Sequence, residues 1–201
     1  MTERSINFRA QQIRAFGALV GSVTNTLAGW KILDVGCGAG YWVRAFLEFD
    51  ARAEDLVGID VSDVRFELAR AKNPLIRFLH TDGMTIPFGN GHFNLVTQFV
   101  TFSAMPSAAL RSRVAGEMSR VLQPGGFLFW WDHCTNAATD ADAALRPADY
   151  FNWPIREISV GELPRPSECL QSLEGIERFV AGFDRLGYPA THTAAIIGPK
   201  P

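Results

Sequence analysis

The 201-residue sequence predicts an α/β fold, a doubly wound and mostly parallel seven-stranded sheet with an antiparallel addition at one edge. Two observations carry this prediction. Strands alternate with helices over short connections between residues 31 and 132, as in parallel sheets. Several of these strands are almost wholly apolar, which is typical of strands covered by helices on both faces. The length and the 47% apolar composition favour a single domain, residues 1–201.

The first half of the sequence predicts a helical segment followed by repeated strand and helix units. Apolar residues recur near the helical period over residues 5–28 and predict one or two helices. The strands predicted next are KILDV (31–35), DLVGID (55–60) and LIRFLH (75–80). The helices between them are YWVRAFLEF (41–49) and DVRFELARAK (63–72), the second with Ser62 as its N-cap.

The second half continues this alternation of strands and helices as far as Asp132, after which the order of elements changes. FNLVTQFV (93–100) is a strand, residues 107–122 form a helix that QPGG ends, and FLFWWD (127–132) is the fifth strand. Beyond Asp132 the predicted elements are a short helix near PADYFNW, strands IREISV (155–160) and THTAAIIG (191–198), and a helix over 170–187. We expect the last two strands to form the antiparallel addition.

Charge and cysteine content exclude several classes of protein. A net charge of −2 gives no broad basic surface for nucleic acid. Cys37, Cys134 and Cys169 are odd in number and have no metal-ligand spacing, so we expect no metal and a reducing, cytoplasmic location. The N-terminus does not resemble a secretory signal, and no segment is apolar enough for a membrane span.

The stretch ILDVGCGAGYW (32–42) holds the most informative pattern. An apolar strand reaches Asp34, and glycines follow at 36, 38 and 40. Ligands of open α/β sheets bind beyond the carboxyl ends of the strands, where glycine lets the backbone approach a ligand closely. A nicotinamide or flavin loop needs G-x-G-x-x-G, but Tyr41 stands at its third glycine position. The spacing therefore disfavours a nicotinamide-dependent oxidoreductase.

Five pieces in order resemble the class I S-adenosylmethionine-dependent methyltransferases, in particular small single-domain members of the type 11-like group. They are LDVGCGAG, the acid of VGID, the TDGMTIPF loop, FNLVTQF and EMSRVLQPGGFLF. The resemblance implies a Rossmann-like fold with residues 31–132 as the cofactor-binding core, 1–30 as a helical cap and 133–201 as an acceptor-side segment and sheet edge. It implies S-adenosylmethionine as cofactor and S-adenosylhomocysteine as product.

The resemblance also implies a set of cofactor-binding residues. The glycine-loop members face the methionine end, Asp60 the ribose, the 82–84 loop the adenine, and the end of the fourth strand the transferring methyl. The full set is Asp34, Gly36, Cys37, Gly38, Gly40, Tyr41, Asp60, Val61, Asp82, Gly83, Met84, Gln98 and Phe99. Asp82 also lies in TDG, an ordinary turn signal, so a purely local role is the alternative there.

The expected partner is a small-molecule or glycan methyl acceptor rather than a nucleic acid. If the acceptor loses a proton, His133 directly after the fifth strand is the candidate general base. An aromatic face can favour the sulfonium cation, with Tyr41, Trp42, Phe99 and Phe102 as candidates. The competing hypothesis is a noncatalytic cofactor-binding or partner subunit, since the acceptor region carries no recognisable motif.

Overall fold

The computed structural model describes residues 3–133, 145–161 and 190–201. They form a seven-stranded sheet in the order β3-β2-β1-β4-β5-β7-β6. The strands are β1 Ile32–Val35, β2 Leu56–Asp60, β3 Arg77–His80, β4 Phe93–Phe99, β5 Leu122–His133, β6 Ile155–Gly161 and β7 Ala190–Ile197. The helices are α1 Glu3–Val20, α2 Tyr41–Ala45, α3 Asp63–Lys72 and α4 Ala108–Val121.

The sheet confirms the predicted fold class. Strands β1 to β5 pair in parallel, with β1 between β2 and β4. At the far edge, β7 is antiparallel both to β5 and to β6. The reversed strand therefore lies one place inside the edge, and the edge strand β6 runs in the same direction as the parallel core.

Helices cover both faces of this sheet. Side chains of α1, α2 and α3 pack on one face around Phe16 and Trp131, whereas α4 packs on the other around Trp130. Neighbouring residues of β5 thus bury opposite faces, as the strand period of two requires. A strand buried on both sides has no polar face, which explains the apolar runs in the sequence.

The boundaries of several elements follow from local hydrogen bonds. Ser62 caps α3 by accepting a bond from the amide of Arg65, and Ser107 caps α4 by accepting one from the amide of Leu110. The strand β5 begins at Leu122, earlier than the predicted 127, because Leu122 pairs with Phe93 ahead of an irregularity in the register.

Other predicted elements differ in length or lie outside the described residues. The N-terminal segment contains one long helix, α1. The predicted helix 41–49 is α2 followed by a 3-10 turn over Phe46–Phe49. A 3-10 turn at Pro147–Asp149 stands where a short helix was expected. The predicted helix 170–187 lies outside the described residues.

No helix of the described ranges is long and apolar enough to cross a membrane. The same ranges contain no group of three or more His, Cys, Asp or Glu side chains placed to hold a metal ion.

Candidate active site

The carboxyl ends of β1, β2 and β4 open onto a cleft of about 620 Å³. The 81–86 loop after β3, the 99–106 turn after β4 and one face of α4, with Leu110, Val114 and Glu117, complete its walls. Seven of the predicted cofactor-binding residues line it. They are Gly36, Asp60, Val61, Asp82, Gly83, Met84 and Phe99.

Asp60 joins the end of β2 to the glycine loop, which is the segment Gly36–Gly40. Its Oδ2 accepts a hydrogen bond of 2.8 Å from the amide of Gly38, and its Oδ1 accepts one of 2.8 Å from the amide of Ser62. Only 6% of the residue is exposed. Each carboxylate oxygen can accept a further bond, so Asp60 fixes the loop and still offers acceptors to a ligand.

The glycines of this loop are required for different reasons. Gly36 has φ of 72°, and a Cβ there would collide with the side chain of Thr101. Gly38 has φ of 55°, and a Cβ there would meet nothing within 4 Å. Gly36 therefore accommodates the protein's own β4 turn, whereas Gly38 faces open space beside Asp60. Gly40 is buried, and a Cβ there would collide with the side chains of Phe78 and Asn73.

Asp34 and Cys37 lie beneath the cleft rather than in its lining. The Asp34 carboxyl is buried, and its Oδ1 accepts a 2.8 Å hydrogen bond from the hydroxyl of Thr97. Burial raises the pKa of Asp34 to about 7; the Thr97 bond opposes the rise and the Asp60 charge adds to it. Burial likewise raises the pKa of the Cys37 thiol, which makes this cysteine a packing residue.

Gln98 is fully buried and acts on the cleft through the backbone. Its Oε1 accepts a 2.9 Å bond from the amide of Thr101, whose hydroxyl donates to the carbonyl of Val35. Between them Val100 adopts φ of 60°, a strained conformation for a β-branched residue. The end of β4 is thus locked against the end of β1, and the sequence gives no signal for this.

Asp132 fixes the following turn from the end of β5. Its buried Oδ2 accepts bonds of 3.0 Å and 3.3 Å from the amides of Phe102 and Ser103. This carboxylate therefore holds the 99–106 wall of the cleft. Phe102 is buried against Trp130, with ring centroids 4.5 Å apart, so it packs in the core.

The 81–86 loop is held from two directions. The Oδ1 atom of Asp82 accepts bonds from the amides of Met84 and Thr85, which lower the pKa of this carboxyl. Asp82 therefore makes the local turn and also lines the cleft. From α4, the Oε2 atom of Glu117 accepts a 2.9 Å bond from the amide of Ile86.

Glu117 and Arg120 form a pair that sequence reasoning missed as site residues. Two hydrogen bonds of 2.7 Å join them and lower the pKa of Glu117 to about 2. Arg120 also donates to the carbonyls of Ile86 and Phe88. Opposite charges three residues apart on a predicted helix were the available signal, but that spacing usually marks a solvated pair.

Two further predicted residues, Tyr41 and His133, also lie outside the cleft lining. Tyr41 is half-buried under the guanidinium of Arg9, whose Cζ lies 3.7 Å from the ring centroid. His133 is exposed at the end of β5, with its ring 4.4 Å from that of His192. Trp42 is also a core residue, since it stacks on Phe99 with centroids 3.9 Å apart.

Comparison with known proteins agrees with this geometry. Residues 32–126 match a family described as a methyltransferase domain. An uncharacterized methyltransferase of Synechocystis is 31% identical over 133 residues, covering 66% of this chain and 56% of that protein. A demethylmenaquinone methyltransferase of Staphylococcus aureus is 32% identical over 103 residues, covering 50% of this chain and 42% of that protein. The matched stretch thus spans about half the length of these curated relatives.

The fold has relatives among solved structures. An S-adenosylmethionine-dependent methyltransferase from Mesorhizobium loti superposes with a TM-score of 0.61 at 16% identity, covering 92% of this chain and 98% of that one. Residues 32–126 are thus a methyltransferase domain, and the seven-stranded sheet has the fold of a solved S-adenosylmethionine-dependent methyltransferase.

Proposed function

We propose that this protein transfers a methyl group from S-adenosylmethionine to a small-molecule or glycan acceptor. The observation that carries the proposal is the cleft in which the Asp60 carboxylate holds the amide of Gly38 at the carboxyl end of the sheet. The proposal treats residues 1–201 as one domain, with 31–132 binding the cofactor and both 1–30 and 133–201 covering the acceptor.

The residues present fit the cofactor. The Asp60 carboxylate oxygens retain acceptor capacity for two neighbouring ribose hydroxyls. Val61 and Met84, at the cleft, are 61% and 47% exposed, which is unusual for apolar side chains and suits contact with a flat base. Gly38 leaves its backbone approachable from open space.

In the proposed mechanism the chain binds and positions rather than reacts. When bound, S-adenosylmethionine supplies a methyl group on a positively charged sulfur that an acceptor's lone pair can attack. Asp60, the glycine loop and the 82–84 loop hold the donor. Phe99, Met105 and Leu110 line the cleft and exclude water from it. Alignment of this kind can contribute roughly 7 to 11 kcal/mol of barrier lowering.

An acceptor that must lose a proton needs a base, and His133 stays our prediction for that role. Glu117 is the poorer candidate within the cleft, because its pair with Arg120 holds the pKa at about 2. A group with so low a pKa binds a proton weakly near neutral pH. Acceptors that are already deprotonated would need no base.

A small molecule is the favoured acceptor class. The net charge of −2 gives no broad surface for a polyanion. One of the relatives is a demethylmenaquinone methyltransferase, whose name denotes a small-molecule acceptor.

Calorimetry with S-adenosylhomocysteine tests the donor assignment. We expect saturable binding to the wild type, and at least a ~100-fold loss in Asp60→Ala because the loop loses its acceptor. The control Glu54→Gln changes an exposed carboxylate beside β2 and should bind normally. A folded wild type that binds no S-adenosylhomocysteine would overturn the proposal.

A methyl-transfer assay distinguishes the methyltransferase hypothesis from its alternatives. A screen of small-molecule and glycan acceptors with labelled S-adenosylmethionine should give methylated product. Binding without turnover across that screen would favour a noncatalytic cofactor-binding subunit. Hydride transfer with NADH or NADPH would instead favour an oxidoreductase.

A further inference from the structure

A second concavity borders the glycine loop and shares no lining residue with the cleft. Its volume is about 520 Å³, and it lies between α1, the start of α2 and the end of α3. The residues that line it are Arg9, Ala10, Ile13, Ala39, Tyr41, Arg44 and Lys72.

Among the residues whose side chains the structure describes, the charged residues of this concavity are all cations. They are Arg9, Arg44 and Lys72, and no acidic residue of the described set lines it. Elsewhere in the described chain several arginines pair with carboxylates, as Arg70 does with Glu67. Within the residues whose side chains the structure describes, none of the three cations has a carboxylate within 4.0 Å. Among the described side chains, these three positive charges are therefore unpaired.

Two of these cations are held in position by neutral partners. The guanidinium of Arg9 lies over the Tyr41 ring, with Cζ 3.7 Å from the centroid, and the Cζ of Arg44 lies 5.7 Å from the same centroid. Arg44 also donates a 3.2 Å bond to Oδ1 of Asn73, and this buried amide donates in turn to the carbonyl of Ala69. Stacking occupies the face of a guanidinium and leaves the N–H donors at its edge available.

Positioned guanidinium groups with free edges match the oxygens of a phosphate or carboxylate. The site is local, since the whole protein carries a net charge of −2. Ala39 belongs to the glycine loop and Tyr41 directly follows it, whereas Gly36 of the same loop lines the cleft. We propose that this concavity binds a phosphate or carboxylate group of the methyl acceptor. The identity of the molecule that carries this anion rests on the proposed function.

Pyrophosphate is the probe for the site itself. Titrated into the full-length protein at low ionic strength, it should bind saturably and more weakly as salt is added. Arg9→Ala and Arg44→Ala should each weaken binding about tenfold, because each removes charged donors. Arg9→Lys keeps the charge and loses the planar fork, so its affinity for pyrophosphate should lie between those of the alanine variants and the wild type. Arg52→Ala is the matched control, since Arg52 is exposed outside the concavity.

S-adenosylhomocysteine affinity, measured on the same variants, separates this site from the cofactor site. We expect that affinity to stay unchanged. Absence of saturable pyrophosphate binding to the wild type, or equal affinities in all variants, would overturn the anion site. A parallel loss of S-adenosylhomocysteine affinity in Arg9→Ala would assign the arginine to the cofactor and also overturn the proposal. A wild type that binds pyrophosphate but not S-adenosylhomocysteine would count against the proposed function alone.

A competition assay tests whether the anion belongs to the acceptor. With an acceptor found by the turnover screen, pyrophosphate should inhibit methyl transfer competitively, and a neutral analogue of that acceptor should show a raised KM. Uncompetitive or absent inhibition, together with an unchanged KM, would show that the site serves a separate anion and would overturn the acceptor assignment.

Discussion

The two concavities that border the glycine loop are built in opposite ways. In the cleft, polar side chains are tied to the protein's own backbone, as Asp60 is to Gly38 and Glu117 is to Ile86. In the second concavity, Arg9, Arg44 and Lys72 have no carboxylate partner among the described side chains. The cleft is therefore preorganised for the shape of a ligand, whereas the second concavity has unpaired positive charges that an anionic ligand can neutralise.

Gly36→Ala should disturb both concavities, because the glycine loop that borders them cannot keep its backbone path. The positive φ costs about 1–2 kcal/mol and the collision with Thr101 about 1–3 kcal/mol more. We expect a loss of about 2–5 kcal/mol in the free energy of unfolding, measured by urea titration. Gly38→Ala has the same kind of φ and open space around it, so it should lose only the first of these amounts. Equal losses in the two variants would contradict our account of the loop.

Asp34→Asn tests the buried carboxyl beneath the cleft through its pH dependence. A pKa near 7 in the folded protein, against about 4 in the unfolded chain, means that the native state holds this proton more tightly. Stability from this group is therefore complete below about pH 4 and lost as pH rises through about 7. The variant should be more stable than the wild type by up to about 4 kcal/mol at pH 8, and nearly equal to it at pH 4.

Urea titrations of both proteins between pH 4 and 8 measure this difference. Thr97→Val is the companion variant, because it removes the hydroxyl that donates to Asp34. A stability difference between wild type and Asp34→Asn that does not change with pH would contradict the raised pKa.

Glu117→Gln changes the cleft and leaves the lining of the second concavity intact. The variant keeps an acceptor for Ile86 but loses the ionised pair with Arg120, so we expect a destabilisation of about 1–3 kcal/mol at pH 7. Because the pKa of Glu117 is lowered to about 2, the difference should shrink as pH falls from about 5 to 2. S-adenosylhomocysteine binding should weaken while pyrophosphate binding holds. Weakening of both would show that the two sites are coupled.

His133→Ala gives the smallest expected effect. A general base would lower kcat by about 10²–10⁴ when removed. His133 lies outside the cleft lining, with its ring against His192. We therefore expect a change of less than about threefold for acceptors that need no proton removal. With an acceptor that must lose a proton, a larger fall in kcat at unchanged KM, with loss of the acidic limb of the pH profile, would establish His133 as the base.

The strands, the Ser62 cap and the carboxyl ends where the cleft opens could be predicted because each depends on a short stretch of sequence. Ser62 precedes a helical period, and Asp60 closes an apolar run. The placement of β7 between β5 and β6 could not be predicted, since strand order depends on which edges pair after the chain has turned back. The bonds that hold the loops were missed for the same reason: Glu117 and Ile86 lie on separate elements.

The glycine loop shows most clearly which features follow from the local sequence and which depend on long-range contacts. Local sequence is enough to predict that Gly36, Gly38 and Gly40 permit a left-handed backbone path and that Tyr41 excludes the dinucleotide pattern, because φ preferences are local properties. The packed fold is needed to show that Gly36 abuts Thr101 while Gly38 stays open, and that Arg9 covers Tyr41. Those contacts join residues far apart in the chain, and their energies exist only once the sheet and its helices have packed.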